Sequence, residues 1–198
     1  MLVVVGGHSR NIGKTSVVCA LIAAAHEADW QAFKVTQHGH DICATDGDVC
    51  GCAPEDPTHP YAIDEQLQAD GTDTGRYLTA GARRAWWVRT AQGELGHAIG
   101  HMKALFREAE NNIVESNSIL RFVQPDRYIV VVHLGVEDLK DSARLYMDRA
   151  DAFVMTGGEG NGLWPGIPPR WFQNKPVLSM PDLTKPPQEL ACLLATKI

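Results

Sequence analysis

Gly6-Gly7-His8-Ser9-Arg10-Asn11-Ile12-Gly13-Lys14-Thr15-Ser16 sets a lysine and two hydroxyls directly after a glycine-punctuated turn. The turn follows an apolar run and opens a helical stretch, the context in which backbone N–H groups converge on phosphate oxygens. Lys14 would reach the β- and γ-phosphates of a nucleoside triphosphate, and the Thr15 hydroxyl would ligate Mg2+. Gly13 lets the backbone approach phosphate with no side chain in the way. The segment from Gly7 through His8, Ser9, Arg10, Asn11, Ile12 and Gly13 to Ser16 is the expected binding loop for GTP or ATP. Its spacing departs from G-x-x-x-x-G-K-[ST]: the first glycine of that form would fall at His8, and the nearest glycine is Gly7.

Such loops hold Mg2+ together with an acid at the end of a neighbouring strand. Glu115 ends Asn112-Ile113-Val114-Glu115 and is the first candidate, paired with Lys14 as the expected catalytic groups. Asp41, just beyond the second strand, is another candidate metal ligand. The alternative is that both are ordinary charges at strand ends.

His38, His40, Cys43, Cys50 and Cys52 lie close together in sequence. Imidazole and thiolate are the ligands that Zn2+ prefers, and four of the five could close a tetrahedral site. Cys-x-Cys is tighter than the usual Cys-x2-Cys, so a softer metal or a redox pair Cys50/Cys52 also fits. Equally, the two histidines could face the nucleotide while the cysteines stay free. His97 and His101 share a helix face at i,i+4, but the His-Glu-x-x-His form is absent. Arg83 and Arg84 could meet phosphate or simply be solvated. Trp86 and Trp87 alternate across a strand, which puts one in the core and leaves the other for an interface. Thr156-Gly157 ends a strand on the ligand edge, yet no Asn-Lys-x-Asp guanine signature follows it. Arg10, inside the loop, could act as an arginine finger.

Alternating elements must position these groups. Leu2–Val5 reads as a buried strand, 14–26 as a helix and 31–36 as a second strand. The stretch 37–72 breaks the pattern with prolines and cysteines, and a helical period returns only at 62–68. A short helix at 74–80, a strand at 85–88 and a helix at 94–109 follow. Strands are expected at 112–115, 126–133, 151–156 and 176–180, with helices at 137–150 and 188–196 and a Gly/Pro-rich loop at 157–169. Strand–helix alternation predicts an α/β fold: a doubly wound, mostly parallel sheet of P-loop NTPase type. One domain, 1–198, with a His/Cys-rich insertion at about 37–72, is expected.

Composition agrees. Of 198 residues, 44% are hydrophobic and 21% charged, enough to bury a core. The net charge of −6 argues against nucleic acid or an anionic membrane as a partner. The opening residues lack the basic and then apolar stretch of a signal peptide, and an odd cysteine count argues against a disulfide framework. A cytoplasmic location is expected.

Four pieces together resemble the molybdopterin-guanine dinucleotide biosynthesis protein B family: the strand with Gly13-Lys14-Thr15, Lys34-Val-Thr-Gln-His38-Gly-His40-Asp41, Asp73-Thr74-Gly75-Arg76 leading to Ala80-Gly81-Ala82, and Val114-Glu115. They cover roughly residues 1–120. The resemblance implies GTP binding, slow hydrolysis, homodimerisation and a molybdopterin-related protein partner. Ser116 stands where that family has glycine, and the half from Asn117 onward matches no part of it. The loop length Gly7-x5-Gly13-Lys14-Thr15 is also similar to dethiobiotin synthetase, which implies ATP-dependent activation of a carboxylate. A metal-responsive NTPase sensing through 38–52 is the third reading.

Overall fold

The computed structural model describes residues 1–38, 60–157 and 167–194. Asp41, His40, Cys43, Cys50 and Cys52, and most of the 157–169 loop, lie outside the described residues.

Among the described residues an eight-stranded sheet carries the fold. Its strands are β1 (Leu2–Gly7), β2 (Gln31–His38), β3 (Tyr61–Gln66), β4 (Arg84–Ala91), β5 (Asn112–Glu115), β6 (Arg127–His133), β7 (Ala152–Thr156) and β8 (Val177–Ser179). They lie side by side in the order β3-β4-β2-β5-β1-β6-β7-β8. Pairings are parallel except for β3, which runs antiparallel along β4 at the edge. Four α-helices accompany them: α1 (Lys14–Ala24), α2 (Asp73–Thr79), α3 (Ile99–Phe106) and α4 (Asp141–Arg144). The chain runs outward from β1 to β2 and β4, returns at β5, then crosses to β6 and runs out to β8. That reversal puts the ligand crevice of such a sheet at the carboxyl end of β1.

Side-chain alternation along β1 builds two cores. Val3 and Val5 pack with Val17, Leu21, Ala32, Ile113, Ile129 and Tyr77 on the side of α1 and α2. Val4 packs with Phe33, Val114, Tyr128, Leu95, Met102 and Ile119 on the side of α3. β1, β5 and β6 are buried along nearly their whole length, which explains the apolar runs Leu2–Val5 in β1 and Tyr128–Val132 in β6, while β5 buries two polar residues, Asn112 and Glu115, at its ends. Among the described residues no helix is long and apolar enough to cross a membrane.

Several local expectations are corrected. The helical period at 62–68 gives way to strand β3, because pairing there joins Glu65 to Arg84 at 2.6 Å and Asp64 to Arg89 across the ladder. An edge strand with charged side chains also resists further pairing. The 94–109 helix begins as a 3-10 turn over Glu94–Ala98, after Gly93 at φ 91°, and only then becomes α3. The 137–150 helix shrinks to α4 and a 3-10 turn at Met147–Arg149. Its missing first turn is pulled onto the loop after β1: the Lys140 N–H donates to the His8 carbonyl at 2.9 Å, and Asp138 accepts from the Ser9 hydroxyl at 2.6 Å. The last helix is a 3-10 segment, Gln188–Leu194, packed on α1.

Candidate functional site

The loop after β1 starts one residue later than its glycines suggest. The His8 N–H still donates to the Val131 carbonyl at 3.3 Å, so the β1–β6 ladder runs through it. The His8 ring is fully buried, with Nε2 3.0 Å from the Val136 carbonyl. Being strand-like there, the residue points its side chain away from the loop's interior, and glycine is not needed. Burial pushes the His8 pKa down to about 4, against the raising effect of the two carbonyls.

Beyond it the loop turns sharply. Asn11 and Gly13 adopt φ of 53° and 89°, the left-handed region that asparagine and glycine tolerate. A Cβ at Gly13 would also press on Leu183 at 2.8 Å. Ile12 is buried, and its carbonyl accepts from the Thr156 hydroxyl at 2.7 Å, so β7 braces the loop. Lys14 Nζ donates to the Ser9 carbonyl at 2.7 Å, which draws the ammonium across the turn. Burial lowers the Lys14 pKa, with Lys34 adding to the effect and Glu115 opposing it. Arg10 is exposed on the same loop.

Glu115 lies 3% exposed at the end of β5, next to β1 in the sheet. Its Oε2 accepts from the Thr15 hydroxyl at 2.8 Å and from the Tyr77 hydroxyl at 2.5 Å. Its Oε1 pairs with Lys34 Nζ at 2.6 Å. Lys34 also reaches Asp73 at 2.8 Å and the Thr15 oxygen at 3.2 Å. Burial works against the charge on Lys34, but Glu115 and Asp73 outweigh it and hold its pKa above the usual value. Burial likewise opposes the Asp73 carboxylate, and Lys34 reverses that, so its pKa falls below the usual range. Thr72 caps α2 by accepting from the Gly75 N–H at 3.1 Å, which fixes Asp73 at the helix start. Arg76, one turn on, donates to the Ser16 hydroxyl at 2.8 Å.

Of the residues singled out from sequence, the structure brings Thr15, Ser16 and Glu115 into one network and leaves Lys14 beside it. Lys34, Asp73, Tyr77 and Arg76 belong to that network and were not foreseen as site residues. Lys34 and Asp73 did carry signal, since both stand in the segments that resemble a nucleotide-binding family. Asn117 was also missed: its side chain accepts from the Gly7 N–H at 2.9 Å and donates to the Gly7 carbonyl at 2.7 Å. Lys140 approaches from the β6 side, and burial together with Lys14 and Arg10 pushes its pKa down to about 8. Lys14, Arg10, Lys34 and Lys140 thus gather positive charge in a chain that is acidic as a whole.

Other candidates fall elsewhere. His38 ends β2. His97 contacts Glu94 at 2.9 Å and His101 stands edge-on to Tyr61, so the two do not converge. Arg83 pairs with Asp29, and Arg84 with Glu65 and Glu108, away from the loop. Trp86 is core; Trp87 is half-buried under the Arg89 guanidinium. Among the described residues no cluster of three or more His, Cys, Asp or Glu side chains could hold a metal by itself. A hydroxyl beside two carboxylates is nonetheless the hard oxygen set that suits Mg2+, which normally completes its shell with water and substrate phosphate.

A mostly parallel sheet whose central strand passes through such a loop into a helix opening Lys14-Thr15 is a P-loop NTPase fold, as the sequence led us to expect. No protein-family profile matches the chain, and no curated protein does. Among solved structures, the apo form of LpxK from Aquifex aeolicus, in complex with ATP, is similar at a TM-score of 0.49 and 16% identity over 90% of this chain. The chain spans about half the length of that protein, 53%.

Proposed function

We propose that this chain binds a purine nucleoside triphosphate with Mg2+ and acts as a slow NTPase or phosphoryl-transfer factor. The observation that carries this reading is the Thr15–Glu115–Lys34–Asp73 network beside the Lys14 loop. Backbone N–H groups and Lys14 would hold the β- and γ-phosphates. Thr15 and Asp73 would hold Mg2+; when bound, the ion would neutralise charge on the phosphate oxygens. Glu115 has both oxygens engaged and is nearly inaccessible, so its part is to orient Thr15 and Lys34. Asp73 is 42% exposed and keeps an open face. Lys34 supplies a fixed positive charge where the transferring phosphoryl group develops negative charge.

Within that class we favour a GTP-binding accessory factor resembling those of molybdopterin guanine dinucleotide biosynthesis. What supports it is that Lys34, Asp73, Arg76 and Glu115, drawn from three separated segments of the resemblance, meet in one place. The second reading, ATP-dependent activation of a carboxylate, is favoured by Lys34 lying 3.2 Å from Thr15, close to where a γ-phosphate would be transferred. A partner protein, a homodimer and a Zn2+ role for His38, His40, Cys43, Cys50 and Cys52 remain parts of the proposal carried by sequence alone.

Paired calorimetric titrations with GTP and ATP, with Mg2+, test the reading. GTP preference supports the accessory-factor form and ATP preference the carboxylate-activating one. If neither nucleotide binds, or if Lys14→Ala binds equally well, the proposal fails.

A further inference from the structure

The loop between β6 and α4 is fastened to the phosphate loop at three points. The Val136 carbonyl lies 3.0 Å from His8 Nε2, the Asp138 carboxylate accepts from the Ser9 hydroxyl at 2.6 Å, and the Lys140 N–H donates to the His8 carbonyl at 2.9 Å. His8 and Ser9 are both buried, so these bonds hold the β6–α4 loop in register with the phosphate loop. Lys140 stands in extended backbone just before α4, at φ −63° and ψ 146°, and is half-buried. Ser9 is shared: its hydroxyl serves Asp138, and its carbonyl accepts from Lys14 Nζ at 2.7 Å. Lys14 stems from the helix start, where the α- and β-phosphates of a nucleotide lie, and its ammonium reaches back to Ser9. The terminal phosphate therefore belongs on the Ser9 side of the loop, the side to which Asp138 and Lys140 are tied.

Positive charge is in excess here. Lys34 is answered by Glu115 and Asp73. Lys14, Arg10 and Lys140 are not: no described carboxylate lies within ion-pair distance of any of them. Asp138, two residues from Lys140, gives its Oδ2 to Ser9 instead. Burial, then the charges of Lys14 and Arg10, push the Lys140 pKa down to about 8, with Asp138 opposing and Lys34 adding to the effect. The Lys140 ammonium thus lies within electrostatic reach of the same cations that surround the expected phosphate position. Like charges gathered without counter-ions weaken a fold, and a bound anion reverses that. Three unanswered cations suit a polyphosphate, and lysine contacts phosphate as a point charge.

We infer that Lys140, delivered from the β6–α4 loop, is a further cationic contact on the nucleotide's terminal phosphate and makes the site favour a triphosphate over a diphosphate. This rests on the nucleotide-binding reading above and deepens it. Lys14 and Lys34 hold the phosphate from α1 and β2, and Lys140 meets it from the opposite side of β1, because β6 and β2 flank the β1–β5 pair.

The test measures, by calorimetry in Mg2+, the Kd of the full chain for the β,γ-imido analogues of GTP and ATP and for GDP and ADP. The unaltered chain is compared with Lys140→Met, which keeps the apolar stem and removes the charge. The expected result is that Lys140→Met weakens the triphosphate analogue about tenfold and leaves the matching diphosphate within about twofold. Its urea midpoint at pH 7 without nucleotide should equal or exceed that of the unaltered chain, since a charge that the fold disfavours is gone. The inference is overturned if Lys140→Met weakens triphosphate and diphosphate alike, which is what a merely structural lysine would do, or if it weakens neither. If the unaltered chain binds none of the four nucleotides, the nucleotide reading itself fails and takes this one with it. The unaltered chain alone therefore tells the two failures apart.

Discussion

Asn117 holds both polar groups of Gly7, taking its N–H at 2.9 Å and giving to its carbonyl at 2.7 Å. One side chain from the β5 edge therefore replaces the ladder partners that β1 loses where it turns into the phosphate loop. The Tyr128 hydroxyl lies 3.2 Å from the same Asn117 oxygen and steadies the amide. Asn117→Asp keeps an acceptor for the Gly7 N–H but sets a carboxylate against the Gly7 carbonyl. Asn117→Ala loses both bonds. Each buried hydrogen bond left unmade costs about 1–3 kcal/mol. With two such bonds lost, Asn117→Ala should lower stability to urea by about 2 kcal/mol or more and weaken nucleotide binding about tenfold. Nucleotide affinity unchanged in a destabilised Asn117→Ala would show that the clamp is structural only.

Gly6 exists for the same clamp. A Cβ there would collide with the Asn117 amide oxygen and the edge of the Tyr128 ring. Strand geometry itself would accept alanine, since Gly6 lies in the paired part of β1. Overpacking of this kind costs about 1–3 kcal/mol. Gly6→Ala should be destabilised by a similar amount and should displace Asn117 from Gly7. Combining it with Asn117→Ala should restore part of the loss, because the nearer of the two obstacles, the Asn117 oxygen, is then gone while the Tyr128 ring stays. Denaturant midpoints of the two single variants and the double variant decide this: strictly additive losses would exclude the coupling.

Asp73 is expected to govern the Mg2+ dependence of binding more than binding itself. Its carboxylate is half-open and pinned by Lys34 at 2.8 Å at the start of α2. Asp73→Asn should leave nucleotide Kd in EDTA within about twofold, while the tightening produced by Mg2+ falls about tenfold. Titrations with and without the ion measure the ratio. An unchanged Mg2+ effect would move the ligand role to Glu115, and Asp73 would then be a partner of Lys34 alone.

The fold was legible because the strands are buried on both faces and read as uninterrupted apolar runs. Val3–Val5 and Tyr128–Val132 are of this kind. The turn after β1 was legible because the left-handed backbone that glycine and asparagine tolerate is a local property, here at Gly13 and Asn11. Edge strand β3 was not: Tyr61-Ala-Ile-Asp-Glu-Gln takes its conformation from ion pairs and a ladder with β4, residues far away in sequence. The same holds for the shortened helix after β6, whose first turn is spent on contacts with His8 and Ser9. In the site, Glu115 was visible as a strand-end acid, but Tyr77 was not. Nothing in Arg76-Tyr77-Leu78 says that a buried phenol will share an oxygen with Thr15. Such convergence depends on how α2 lies across the sheet, which is a tertiary fact.

His8 makes the loop sensitive to acid. Its pKa of about 4 lies below the ordinary 6.5, because burial disfavours the charged ring. Between those values the unfolded chain binds a proton at His8 that the folded chain does not. Stability from this residue is therefore fully present above pH 6.5 and is lost as pH falls toward 4. The slope is at most about 1.4 kcal/mol per pH unit within that window. His8→Gln keeps a donor near the Val136 carbonyl and cannot titrate. The difference between the unaltered chain and His8→Gln in urea midpoint, followed from pH 7.5 to 4.5, removes the common contribution of carboxylates. That difference should be flat above about pH 7 and should turn against the unaltered chain as pH falls. Parallel curves across the whole range would mean that the His8 ring protonates as easily in the folded chain as in the unfolded one.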